Sequence, residues 1–258
     1  MKNHSHRGGV SAVAVLLLLA CRPARAPPPP SLSDIDFLRG DLVLCSGKRF
    51  GEVQFSLGCD ASVREHFDLA LSLLHSFQYV EAEKAFVRVI DTDADCTMAY
   101  WGVAMSIYHA AWVPPTEADL RKATQVLAVA ERLKKTPKER AYLEAIGAYY
   151  RDWQAVEHAV RAKAYETRMA ALHADYPADT EAAILYALAL YSTRDREGKA
   201  YHNERKAGAI LERLFLEQPN HPGIVHYIIY NYDNPTLAPL ALDVARRYAA
   251  IAPGSPHA

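Results

Sequence analysis

Marks of a familiar active site are missing from these 258 residues. No G-x-S-x-G turn presents a nucleophilic serine. No G-x-x-x-x-G-K-[ST] loop cradles a phosphate, because Gly47-Lys48 lacks the flanking pattern. HExxH is absent, and no two histidines stand four apart on a helix with a carboxylate behind them, so His75, His109, His221 and His226 do not form a recognisable metal set. Without a C-x-x-C, zinc ribbons and thioredoxin-type redox motifs are unsupported. Charge of one sign is also lacking: the net charge is −1 and the pI about 6.8, which argues against a nucleic-acid partner held by bulk electrostatics. Alternating strand patterns are missing from Val63 onward. The sequence therefore gives no catalytic residue, no metal and no cofactor. Half the residues are hydrophobic and 23% charged, an ordinary globular balance long enough for one sizeable core.

The N-terminus reads as a targeting segment over residues 1–20. Lys2 and Arg7 precede an apolar run from Val10 to Ala20, too short to span a bilayer but suited to a secretion signal. The run ends in Leu18-Leu19-Ala20-Cys21, which resembles a bacterial lipobox, with Cys21 as the lipidated residue. Ala24-Arg25-Ala26 offers a rival site for ordinary signal cleavage. By resemblance to lipoprotein sorting rules, the non-acidic Arg22 implies an outer-membrane lipoprotein facing the periplasm; secretion to the periplasm is the alternative. Pro27 to Pro30 complete a stiff, lipid-anchored linker over 21–30.

Cys45, Cys59 and Cys96 remain once Cys21 is set aside. Cys45 and Cys59 share a Gly-rich segment, and export would place them in an oxidising compartment, so a Cys45–Cys59 disulfide is expected there; two separate buried thiols are the alternative. Residues 31–62 read as an irregular lead-in with a short strand at Glu52 to Phe55.

From Val63 the pattern is helical and punctuated. Leu69-Ala70-x2-Leu73 is followed by Ala82-x3-Phe86, and Tyr100-x2-Val103-Ala104-x2-Ile107 repeats the first half at an offset of 34. Val225-x2-Ile228-Ile229-x2-Tyr232 leads to Ala241-x3-Ala245-x2-Tyr248, and Pro219 and Pro253 are again 34 apart. The pattern predicts an all-α fold: an α-solenoid of about five tetratricopeptide-type helix pairs over 63–255, with repeats at 63–96, 97–138, 139–179, 180–221 and 222–255. Repeats two to four carry extra residues between their helices, which should line one edge and set Trp112, Trp153 and Arg194 along it. Residues 256–258 read as the start of a further helix. With no polar cap after Leu240, Val244 and Tyr248, the chain is expected to continue or to pair through this end.

Leu74-His75-Ser76-Phe77, Tyr79, Glu81-Ala82, Met98-Ala99-Tyr100-Trp101-Gly102 and the stretch from His221-Pro222-Gly223 through Tyr227 to Tyr232-Asp233 resemble a family of uncharacterised bacterial tetratricopeptide-repeat lipoproteins. The similarity runs over roughly residues 50–258, and the resemblance implies a longer chain with more repeats and no activity beyond binding.

Register within each repeat places one set of side chains on the concave surface. Trp101, Tyr108, His75, His109, Tyr150, Tyr191, His226 and Tyr230 fall on it, and a groove of Tyr, His and Trp suits peptide or carbohydrate recognition. The alternative is that these aromatics close a tight superhelix on themselves. The expected function is a cell-envelope binding or assembly module for a protein or peptide, tethered to the membrane by its lipid. An enzyme or metal-binding protein using the histidine-bearing face is the runner-up.

Overall fold

A computed structural model describes residues 1, 31–44, 49–56, 58–111 and 113–258. The signal segment, Cys21, the proline linker, Cys45 and Trp112 lie outside the described residues. Ten α-helices follow the lead-in: α1 (Arg64–His75), α2 (Tyr79–Thr92), α3 (Thr97–Tyr108), α4 (Glu117–Ala130), α5 (Pro137–Tyr150), α6 (His158–Asp175), α7 (Thr180–Ser192), α8 (His202–Glu217), α9 (Pro222–Tyr232) and α10 (Ala238–Ile251). No strand occurs among the described residues, and Glu52 to Phe55 is irregular.

Local chemistry starts these helices where they start. Thr116 and Asp119 form a reciprocal capping box on α4, and Thr136 and Glu139 do the same on α5, with Pro137 in its first turn. Asp179 accepts from the Ala182 N–H at the head of α7, and His221 from the Ile224 N–H at the head of α9. The connections inside the first four pairs each turn through one non-glycine residue with positive φ: Phe77, His109, Asp152 and Tyr201.

Consecutive helices pack as antiparallel neighbours, α1 on α2 through α9 on α10. Small residues set the approach: a Cβ on Gly102 of α3 would lie 2.3 Å from the Phe86 ring of α2. The odd-numbered helices form an inner layer. All twelve residues of α3 are buried, as are Glu181 to Tyr191 of α7. Such helices, apolar all round, belong inside a fold. The even-numbered helices keep one face in water.

The inner layer closes. α1 packs on α3, α3 on α5, α7 on α9, and α9 returns to α1. His226, fifth residue of the last pair, bonds the carbonyl of His75, thirteenth residue of the first. Parallel helices offset by eight residues are shifted by about 12 Å along their axes. The inner helices thus meet one another around a shared interior. Among the described residues, most of what the repeat register assigned to a concave face meets the other inner helices instead.

The lead-in straps one mouth of this ring, at the starts of the inner helices. Phe55 stacks on Phe67 and Trp101 and meets Tyr142 edge-on, at centroid distances of 5.9, 5.8 and 5.1 Å. Backbone bonds tie Glu52 to Asn220 and Gly254 to Arg49, and the Gly58 N–H donates to Glu139. Cys59 is bridged to Cys96, the residue preceding α3. This corrects the expected Cys45–Cys59 pairing: the strap lays Cys59 against the α2–α3 turn, 37 residues along the chain, and uses its sulfur there.

Candidate functional site: a cleft on the loop edge and a buried histidine clasp

Of the eight aromatic and histidine residues expected on a groove, Trp101, Tyr108, His75, Tyr150, Tyr191 and His226 are buried, and His109 and Tyr230 are half-buried. Trp101 is packed between Phe55 and Tyr142. The Tyr150 hydroxyl donates to the Ala104 carbonyl at 2.7 Å, and the Tyr108 hydroxyl meets Ser192 Oγ at 3.1 Å, linking α3 to the end of α7. The His109 ring lies tilted against Tyr79 at 4.6 Å, and burial lowers its pKa. Tyr191 and Tyr230 meet edge-on at 5.7 Å and reach the surface together.

His75 and His226 belong to a cluster that the sequence did not disclose as a unit. His75 Nε2 lies 3.0 Å from Glu181 Oε2, and His221 Nε2 lies 2.7 Å from Glu181 Oε1. All three residues are fully or almost fully buried. His221 Nδ1 accepts the Ile224 N–H, so its proton sits on Nε2 and points at the carboxylate. His75 Nδ1 is 3.0 Å from the Tyr227 hydroxyl, which donates to it when His75 donates to Glu181. Burial alone would push the Glu181 carboxyl up; His75 and then His221, through charge and hydrogen bonds, outweigh this and hold its pKa at about 2. Burial lowers the pKa of His75. The Glu181 carboxylate is clasped between the two imidazoles, one on each of its oxygens. Two histidines and a carboxylate within 4.8 Å of one another are also a donor set for a metal ion. The tautomer fixed at His221 turns an N–H, not a lone pair, toward the centre, so the geometry is that of a hydrogen-bonded clasp. His226 Nδ1 donates to the His75 carbonyl at 2.7 Å, its Nε2 finds no hydrogen-bond partner among the described residues, and burial holds its pKa at about 3.

Clefts of about 590 and 490 Å³ lie against the strap, and a wider one lies at the other mouth. The connections at 109–116, 151–157 and 193–201 run eight, seven and nine residues, against three between α1 and α2. Two of them and the start of α6 border a cleft of about 750 Å³. Its apolar lining is Ala111, Val113, Pro114, Ala159 and Ala162. Its polar lining is Ser192, Thr193, Arg194, Arg196, Lys163 and His158. Arg194 and Arg196 also line a neighbouring hollow with Tyr191, Tyr201, Tyr230 and Asp233, so the two run together along the loop edge. Arg194 lies over the Tyr191 ring at 3.6 Å and donates to the Tyr191 carbonyl at 2.7 Å. Burial and the charge of Arg196 hold its pKa below the usual guanidinium range, against the pull of Tyr191 and Glu204.

The extra residues of the middle repeats did signal this edge, and Arg194 stands on it. Trp153 is half-buried with the Arg121 guanidinium over its ring at 5.9 Å. Glu181 escaped sequence reading because its partners lie 106 and 40 residues away. Among the described residues no helix is long and apolar enough to cross a membrane. Compared with known proteins, the chain matches no family model, no curated protein and no solved structure.

Proposed function

We propose that this chain is a cell-envelope binding or assembly module of tetratricopeptide type, similar to the bacterial repeat lipoproteins, that engages a protein or peptide along its loop edge. The observation that carries the reading is the continuous cleft where long connections converge, on the mouth opposite the strap. A filled interior leaves little room for a ligand between the inner helices, while the edge offers apolar lining, hydroxyls and cations together. The Cys59–Cys96 bridge supports export, since such bonds persist in oxidising compartments. In this reading Cys21 carries the lipid and the ring stands off the membrane. A photo-reactive amino acid at exposed Val113 in the cleft should cross-link a partner in envelope extracts, and one at exposed Leu216 on α8 should not. Equal labelling from both positions, or from neither, rejects the loop edge as the binding surface.

A further inference from the structure

The cleft beside α6 is lined by Lys163, Arg194 and Arg196 and by no carboxylate, while Glu204 and Asp233 line the neighbouring hollow that shares the two arginines. Lys163 is matched, because its ammonium pairs with Glu166, which also accepts from the Thr193 hydroxyl. Asp195 is turned onto its own loop, accepting the N–H groups of Glu197 and Gly198. Among the described residues neither Arg194 nor Arg196 makes an ion pair. Arg194 is the more telling of the two: it is half-buried, held flat on Tyr191, and uses one nitrogen on a carbonyl. A guanidinium fixed in this way and partly stripped of water has lost hydration that a ligand carboxylate can replace, through two parallel N–H···O bonds. The same cleft is lined by apolar Val113, Pro114 and Ala159, which suit a side chain next to that carboxylate rather than the hydration shell of a phosphate.

We propose that the cleft recognises an acidic side chain of a partner peptide, its carboxylate held by Arg194 and Arg196 and a neighbouring apolar residue laid against Val113 and Pro114. The inference rests on the loop-edge reading of function and supplies its ligand chemistry. The test titrates the full chain with acetyl-Leu-Asp-Leu-amide, with the isosteric acetyl-Leu-Asn-Leu-amide, and with inorganic phosphate, following ligand resonances by saturation-transfer NMR. The aspartyl peptide should bind about tenfold more tightly than its amide twin, as expected for a charge-assisted pair. That preference should vanish in Arg194→Gln and in Arg196→Gln; exposed Arg196 can be changed without disturbing the fold. Equal binding of the two peptides, no binding of either, tighter binding of phosphate, or a preference that survives both substitutions overturns the proposal. A retained aspartate preference alongside failed cross-linking from Val113 would uphold the carboxylate site and reject the partner reading; the reverse result would do the opposite.

Discussion

His226 sets the response of the molecule to acid at the scale of one residue. Its folded pKa of about 3 lies below the ordinary 6.5, so between those values the unfolded chain binds a proton that the folded chain refuses. Stability present above pH 6.5 is therefore lost as pH falls toward 3. Glu181 continues the trend: with a folded value of about 2 against 4.5, it costs stability as pH falls from about 4.5 to 2. The urea midpoint should decline steadily from pH 6.5 to 2.5, and His226→Gln should flatten the upper part of that decline. A midpoint independent of pH in this range would contradict the buried neutral imidazole. Gly223 is the other sensitive position. A Cβ there would lie 2.5 Å from His75 Nδ1, inside the clasp, so Gly223→Ala should lower stability by about 1–3 kcal/mol in urea unfolding, the usual range for overpacking. An unchanged midpoint would show that His75 moves aside freely.

At the scale of elements, the strap depends on the Cys59–Cys96 bridge. Closing 37 residues of chain removes loop entropy from the unfolded state worth about 3–4 kcal/mol. A Cys59→Ser, Cys96→Ser double variant should lose about that much, and Phe55 should become more accessible to quenchers or proteases cutting nearby. Full stability in the double variant would mean that strap packing alone holds this end. The helix pairs were legible in the sequence because their evidence is local: Ala82 and Phe86, Ala104 and Ile107, Ala241 and Tyr248 repeat at helical spacing. The strap was not legible. Phe50 and Phe55 sit in a Gly-rich stretch without periodicity, and nothing near Cys59 signals Cys96. For the same reason Tyr108 and Tyr150 read as ligand contacts. Register fixes which way a side chain points, but not whether another helix waits there.

At the scale of the whole molecule, closure changes how the chain should unfold. In an open stack each unit meets only its neighbours, and the ends fray first. Here α1 rests on α9 as well as on α2 and α3. Native-state hydrogen exchange should find the amides of α1 and α9 opening with those of α5, while α10, exposed along much of its length, exchanges earlier. Early exchange at α1 would show that the α1–α9 seam is weak.

The His75–Glu181–His221 clasp also acts as a gauge of repeat number. Glu181 belongs to the fourth pair and His221 to the head of the fifth, and both reach His75 of the first because three pairs, no more and no fewer, carry the chain from α1 to α7. Deleting a pair from between them, or duplicating one, would carry the carboxylate past the imidazole by the width of a helix hairpin and leave a charge buried without an answer. Repeat arrays ordinarily drift in length by unequal recombination, and selection tolerates the result. Within this stretch such drift is self-defeating, so natural variants of the chain should grow or shrink outside the span from His75 to Tyr227.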